Sequence, residues 1–242
     1  MSHPGSFSTR GPAARGMLLM LLPVLALALT GGSSGHAAST PPPAATRDHG
    51  RGHWFRHVCA VPNARFAWCG AQVVTSSNGV PLASSAPPSS AVTPAGFHTA
   101  YSLPTTSASG APTIAIVDAY DDPNIEADLA VFDQQFGLPP CTTANGCFQK
   151  VDQNGGTNYP SGTSWHLEIA LDVEVAHAIC QNCRILLVEA GTASFAALGT
   201  AVNTAVALGA DVVSNSYGAG EFSSETSFDS YYKHPGVAIT AS

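Results

Sequence analysis

Two carboxylates on one predicted helix are the residues of this sequence best placed to do chemistry. Glu168 and Asp172 stand four positions apart, so on a helix both side chains lie on one face, one turn apart. The segment 164–179 has no Gly or Pro and is apolar on nearly all sides, which indicates a largely buried helix. Burial and mutual repulsion raise the pKa of each carboxyl group, so we expect the pair to share a proton and supply one acid and one base.

The other side chains of this helix predict its orientation. Three apolar residues share the carboxylate stripe: Trp165, Val175 and Ile179. Three polar residues fall on the opposite side, where a solvated edge would accept them: His166, Glu174 and His177. Thr163 or Ser164 is expected to cap the helix by accepting a backbone N–H. A helix whose Glu and Asp simply face water is the alternative interpretation.

Alternating strands and helices predict how the pair is positioned. Thr113–Asp118 is a continuous apolar run typical of a strand buried on both faces. Asp122 is expected to cap a helix with Pro123 at its first position, running to about Phe136 with Gly137 as the stop, followed by a loop over 138–163. The later predicted elements are a strand at 184–189, a helix at 194–208, and strands at 211–216 and 236–241.

This order predicts an α/β fold with a doubly wound, mostly parallel sheet, helices on both faces and right-handed crossovers. Functional sites in such sheets lie at the carboxyl ends of the strands. We therefore expect Asp118, Glu189 and the turn at 216–218 to meet at one edge.

Composition and charge limit the classes of function that this protein can have. The 242 residues are 45% hydrophobic and 10% charged, which suffices for one sizeable α/β domain plus appendages. The net charge is −7, and almost all acids follow Arg65, which argues against a nucleic-acid partner. Residues 1–38 are interpreted as a signal peptide, because Arg10 and Arg15 precede an apolar run and small residues follow it. That run is too short for a stable membrane anchor, so a secreted, extracellular protein is predicted.

Residues 39–92 are rich in Pro, Ser and Ala and are interpreted as a linker or short prosegment with a disulfide. Six cysteines in an exported chain favour disulfides. Sequence proximity suggests the pairs Cys59–Cys69, Cys141–Cys147 and Cys180–Cys183, although six cysteines permit about fifteen connectivities. Cys180-x-x-Cys183 beside His177 leaves a zinc or redox motif as an alternative.

Taken in order, several segments resemble the sedolisin family, the serine-carboxyl peptidases with a subtilisin-like fold. The segments on which this resemblance rests are residues 114–123, the Glu168-x-x-x-Asp172 helix, residues 185–190 and residues 213–218. Residues 92–96 and 100–104 resemble the start of the family's catalytic domain. The resemblance implies that residues 93–242 are the N-terminal part of a sedolisin-like peptidase domain.

The resemblance also implies roles for single residues. Glu168 matches the general base that takes the proton from the nucleophilic serine, and Asp172 matches the acid that orients Glu168. The family's oxyanion Asp and nucleophilic Ser have no match here, and its calcium ligands are expected beyond Ser242, with no cofactor within the chain. Gly162-Thr163-Ser164 spells the nucleophile tripeptide but precedes the catalytic helix, so Ser164 is expected to be a cap. Because the chain stops at an apolar strand, we expect a fragment.

The function expected from these observations is a secreted, monomeric serine-carboxyl endopeptidase that hydrolyses proteins or peptides at acidic pH and is inactive as this fragment alone. One alternative is a subtilisin-type protease that uses Asp118 with His166 as base. Another is a catalytically inactive exported binding domain. A third is a zinc hydrolase using His166, His177 and Glu174, although no His-Glu-x-x-His motif is present.

Overall fold

The computed structural model describes residues 45–47, 52–59, 66–82, 87, 89, 91–107, 110–162 and 164–242. The predicted signal peptide lies outside these ranges. Within them, none of the helices combines the length and apolar character needed to span a bilayer.

The segment predicted as a linker or prosegment carries short strands. They are β1 (Thr46–Arg47), β2 (Trp54–His57), β3 (Trp68–Cys69) and β4 (Gln72–Thr75). Strands β1, β2 and β4 form an antiparallel sheet, and a disulfide joins Cys59 to Cys69. Helix α1 (Pro94–Tyr101) follows, and the Thr93 hydroxyl accepts a hydrogen bond from the backbone N–H of Gly96 at 3.2 Å. Part of this upstream segment is therefore folded.

Five parallel strands form the central sheet. The elements from residue 113 onward are β5 (Thr113–Ala119), α2 (Ile125–Phe136), β6 (Phe148–Asp152), α3 (His166–Ile179), β7 (Arg184–Ala190), α4 (Phe195–Ala207), β8 (Val212–Asn215), β9 (Tyr217–Gly218), a 3-10 helix (Glu225–Tyr232) and β10 (Ala238–Ala241). The strand order is β10-β8-β5-β7-β6. Helix α3 packs on β5 and β7, and α4 packs on β5, β7 and β8. The predicted α/β fold with a parallel sheet is confirmed.

Two consecutive crossovers of this sheet have opposite hands. The connection through α2 steps from β5 past β7 to the edge strand β6, and the connection through α3 steps back from β6 to β7. Helices α2 and α3 pack against each other, so they lie on the same face of the sheet. Since connections that step in opposite directions over one face differ in hand, the expectation of uniformly right-handed crossovers is wrong.

The predicted loop at 138–163 is also wrong in part, because it contains β6. Strand β6 pairs with β7 from Phe148 opposite Ile185 to Asp152 opposite Glu189. Only Phe148, Val151 and Asp152 of β6 are buried, as suits an edge strand. The strand has no apolar run of the kind that marks β5.

Helix starts differ from the predicted caps. Helix α3 begins at His166 after Trp165, whose side chain makes no capping hydrogen bond, so Ser164 is not the cap; Thr163 lies outside the described residues. Helix α2 begins at Ile125, and the Asp122 carboxylate accepts from the backbone N–H of Asn124 at 2.9 Å in the turn before it. The predicted stop is confirmed, since Gly137 adopts the left-handed conformation with φ of 67°.

All six cysteines are paired as sequence proximity suggested. The disulfides join Cys59 to Cys69, Cys141 to Cys147 and Cys180 to Cys183. Cys180-x-x-Cys183 is thus a short closed loop at the end of α3, and its paired sulfurs offer no thiolate to a zinc ion.

Candidate active site

The fold gathers carboxylates at one edge of the sheet. Asp118 near the end of β5 and Glu189 near the end of β7 are register partners on adjacent parallel strands. Helix α3 lies over these strands and brings Glu168 and Asp172 close enough to raise the pKa of Asp118. The predicted meeting of groups at the carboxyl ends of the strands is confirmed for Asp118 and Glu189.

Glu168 is the better buried member of the helical pair, with 3% of its surface exposed. Its Oε2 accepts a hydrogen bond of 2.9 Å from the backbone N–H of Ala71. Burial raises the pKa of Glu168 to about 7, and the charge of Asp172 adds to the rise, whereas the Ala71 hydrogen bond opposes it. A carboxylate with this pKa can accept a proton near neutral pH, as a general base must.

Asp172 lies half-buried one turn further along α3. Burial raises its pKa to about 6, and the hydroxyl of Ser216 opposes the rise. Its Oδ2 is buried without a hydrogen-bond partner among the described residues. Glu168 is thus buried and Asp172 half-buried, which excludes the interpretation of α3 as a helix whose acids face water.

Asp118 adds a third acid to this cluster. It is fully buried, and neither of its carboxyl oxygens has a hydrogen-bond partner within the described part of the chain. Burial, and then the charges of Asp172, Glu168 and Glu189, raise its pKa well above the ordinary value. Protonation makes such a burial tolerable, because an isolated buried carboxylate is far more costly than a neutral carboxylic acid.

Unlike Asp118, Glu189 has a cationic partner, the side chain of Lys150. The Nζ of Lys150 lies 3.0 Å from Glu189 Oε1, donates to the carbonyl of Asp122 at 2.7 Å, and also pairs with Asp121. Burial raises the pKa of Glu189 to about 8, against the lowering effect of the Asp122 N–H and of Lys150. This ion-paired group supports the strand ends beside the three-acid cluster.

Aromatic residues and a groove border the pair. Trp165, 3% exposed, packs against Tyr217 with ring centroids 6.2 Å apart, in agreement with its predicted place on the carboxylate stripe. The hydroxyl of Tyr217 donates to or accepts from Tyr232 at 3.3 Å and donates to Asn215 at 2.8 Å. A groove of about 470 Å³ next to β9 is lined by Trp68, Gly70, Tyr217, Gly218, Ala219, Gly220 and Ser242. None of the three acids lines this groove, and Tyr217, which packs against Trp165, is its connection to the start of α3.

The far side of α3 differs from the prediction. His166 is exposed as expected, but His177 is completely buried, with Nε2 2.8 Å from the carbonyl oxygen of Pro139 and 3.4 Å from Asp133. Glu174 is half-buried, and burial, with the charges of Asp128, Asp133 and Asp122, raises its pKa to about 7. Helix α2 covers this side of α3, so it is an interface and not a solvated edge.

These positions bear on two of the alternatives. His166 lies in the field of Asp122, not among the charges that act on Asp118, so the structure does not assemble the Asp118–His166 pair of a subtilisin-type site. Among the described residues, the His, Cys, Asp and Glu groups whose ligand atoms lie within 4.8 Å of one another are Cys141, Cys147 and His177. The two sulfurs form a disulfide and offer no thiolate to a metal, and the set differs from the one predicted for a zinc hydrolase.

Two site contacts have no signal in the sequence pattern. The Ala71 N–H and the Ser216 hydroxyl act on the carboxylate pair from distant parts of the chain. Ser216 was predicted to lie near the strand ends, without a role. Every residue except Pro has a backbone N–H, so the residue type of Ala71 does not indicate that it is a hydrogen-bond donor to the site.

Comparison with known proteins shows a distant likeness to a solved structure. No family model matches the chain, and no curated protein matches it. A solved structure of Pseudomonas sedolisin, a serine-carboxyl proteinase complexed with two molecules of pseudo-iodotyrostatin, is similar to it at 21% sequence identity and a TM-score of 0.39. The match covers 54% of this chain and 37% of that one. A likeness of this size assigns neither family nor activity, so the functional argument starts from the site itself.

Proposed function

We propose that this chain carries the acid–base half of a serine-carboxyl endopeptidase, with Glu168 as general base and Asp172 as its partner. One observation carries the proposal. Two carboxylates with raised pKa values stand one helical turn apart at the sheet edge, and Trp165 at the start of their helix packs against Tyr217, which lines a groove. Protein or peptide substrates fit such a groove, and the three disulfides support an extracellular setting.

The chemistry assigned to the pair is proton transfer. Ionised Glu168 would accept the proton of a serine hydroxyl while the serine oxygen bonds to the peptide carbonyl carbon, and protonated Glu168 would then give that proton to the departing amine. Asp172 would hold Glu168 in place and keep one proton within the pair. No serine within the described residues is matched to the nucleophile, so the proposal assigns that residue to sequence following Ser242.

The pKa values define a working range. With values of about 7 for Glu168 and about 6 for Asp172, the pair passes through its singly ionised state at weakly acidic pH. A base that must be ionised loses activity as the pH falls below this range. Because Glu168 has the higher pKa of the two, its ionised form increases as the pH rises toward about 7, and the proposed base is protonated and inactive at strongly acidic pH.

A substitution pair tests the proposal. In a form of the protein extended past Ser242, Glu168→Gln should lower casein hydrolysis at pH 6 by about 100-fold or more, the usual contribution of a general base. Glu174→Gln is the matched control, because Glu174 lies on the same helix with the same raised pKa of about 7 but faces α2. Unchanged hydrolysis by Glu168→Gln, or equal losses in both variants, would refute the carboxylate mechanism. The 242-residue chain alone should show no turnover.

A further inference from the structure

The disulfide between Cys141 and Cys147 lies against a buried histidine of α3. Both sulfurs and one ring nitrogen of His177 are within 4.8 Å of one another. Cys141 and His177 are 1% and 0% exposed, whereas Cys147 is half-buried. Thiolate sulfur and imidazole nitrogen are the usual ligands of zinc in proteins. Opening this disulfide would therefore place three zinc-type ligands together in the loop between α2 and β6 and on α3.

The ring of His177 is oriented as a metal ligand needs to be. Its Nε2 lies 2.8 Å from the carbonyl oxygen of Pro139, which can only accept, so Nε2 carries the proton and donates it. Nδ1 is then the unprotonated nitrogen, and it is buried without a hydrogen-bond partner among the described residues. Metal-ligating histidines commonly donate their other ring N–H to a backbone carbonyl or a carboxylate in this way.

A carboxylate supports two of the three ligand residues. Asp133, 4% exposed, accepts from the backbone N–H of Cys141 at 3.2 Å through Oδ2, and its Oδ1 lies 3.4 Å from Nε2 of His177. The surroundings are acidic, since burial and then the charges of Asp128 and Asp133 raise the pKa of Glu174 nearby on α3. A field of this sign attracts a cation.

We propose that Cys141, Cys147 and His177 form a redox-controlled zinc site, closed by the disulfide in the oxidised chain and able to bind Zn²⁺ in the reduced chain. A dithiol opens the disulfide by exchange: the two sulfurs of the dithiol join in a new disulfide, and its two protons pass to Cys141 and Cys147. Zinc then binds both thiolates and Nδ1 of His177, releasing the two thiol protons, and a water molecule completes the tetrahedral set. The inference goes beyond the proposed function and is independent of Glu168 and Asp172.

The experiment maps which cysteines zinc protects. The 242-residue chain is reduced with dithiothreitol, freed of it without oxygen, and alkylated with iodoacetamide with and without Zn²⁺, and the labelled positions are read by mass spectrometry. Zinc should slow labelling of Cys141 and Cys147 by at least about tenfold, because a bound thiolate is withdrawn from reaction. The matched control is internal: Cys180 and Cys183 are reduced in the same chain and should react at an unchanged rate. His177→Gln keeps an N–H donor but lacks the imidazole, and it should abolish the protection.

Three outcomes overturn the proposal: no protection by Zn²⁺, equal protection of Cys180 and Cys183, or protection that survives in His177→Gln.

A second measurement does not depend on the folding of the His177 variant. In urea unfolding of the reduced chains, Zn²⁺ should raise the midpoint of the wild type and leave C141S/C147S unchanged, because a ligand that binds only the folded state stabilises it. If reduction alone unfolds the chain, Zn²⁺ should restore amide protection of β7 in the wild type and not in C141S/C147S. An equal response of the two proteins, or none in either, overturns the site. Neither measurement involves proteolysis, so the zinc site and the peptidase assignment can fail separately.

Discussion

The backbone N–H of Ala71 donates to the Glu168 carboxylate across 97 residues of sequence, at 2.9 Å. This bond is the only hydrogen bond to Glu168 found among the described residues outside its own helix, and it partly offsets the cost of burying the carboxylate. It joins an upstream segment to the candidate base, so the pKa of Glu168 depends on a donor far away in the chain. The predictions below measure that connection and the charges around it.

Removing the Ala71 donor should raise the pKa of Glu168. In Ala71→Pro the N–H is absent, and we expect the pKa of Glu168 to rise above about 7, since the bond stabilises the ionised form. Ala71→Gly keeps the N–H and should leave the pKa close to the wild-type value. A pH titration of the Glu168 side-chain carboxyl by ¹³C NMR measures both, and a pKa that falls in Ala71→Pro contradicts the assignment.

Neutralising Asp172 should lower the pKa of Glu168. The charge of Asp172 is one of the causes that raise the pKa of Glu168, so Asp172→Asn should lower it from about 7. Asp229→Asn changes an exposed acid on the 3-10 helix and serves as the control. The same NMR titration applies. No shift in Asp172→Asn would show that the two carboxylates do not act as a pair.

Stability should fall as the pH rises, because burial raises the pKa of Glu168 from its ordinary 4.5 to about 7. Between these values the folded chain holds a proton that the unfolded chain has released, so the stabilisation is complete below pH 4.5 and is lost as the pH rises through 7. Glu168→Gln removes this penalty and should raise the free energy of unfolding at pH 8 by about 3 kcal/mol.

Urea unfolding at pH 4 and pH 8 measures the effect, with the exposed Glu221→Gln as control. At pH 4 the Glu168→Gln variant and the wild type should be nearly equal in stability. A Glu168→Gln variant less stable than the wild type at pH 8 would contradict the assigned direction of the pKa shift.

The ion pair beneath the site offers a further test. Lys150→Met leaves Glu189 buried without its cation, so the pKa of Glu189 should rise above about 8 and unfolding at pH 9 should become easier by about 3–5 kcal/mol. The loss should shrink at pH 6, where Glu189 is protonated in both proteins. Lys233→Met, at an exposed position, should change little. Chemical unfolding at the two pH values checks the difference, and an equal loss at both would argue against a charge effect.

Local patterns predicted much of the framework. Four of the five sheet strands are apolar runs. Helix α2 ends at Gly137, and helix α4 begins after Ser194, whose hydroxyl accepts a hydrogen bond from the backbone N–H of Ala197 at 3.3 Å. These features depend on residues within a few positions of one another. The same holds for the three disulfides, which close loops between neighbouring cysteines.

What local patterns could not predict depends on partners far away in the chain. Strand β6 is set by pairing with β7, and the hand of the crossover through α3 is set by packing on α2. His177 was assigned to the wrong surroundings because α3 is apolar nearly all round. Such a helix has no stripe that distinguishes a solvated side from one covered by another helix.

The sequence by itself determined that Glu168 and Asp172 share one face of a helix, because four residues make about one turn. Only the tertiary structure decided that Asp118 joins them, that Ser216 and the Ala71 N–H act on them, and that an upstream segment covers them. The physical reason is that the pKa of a carboxyl group depends on burial, nearby charge and hydrogen-bond donors, which folding brings together from segments that share no local pattern.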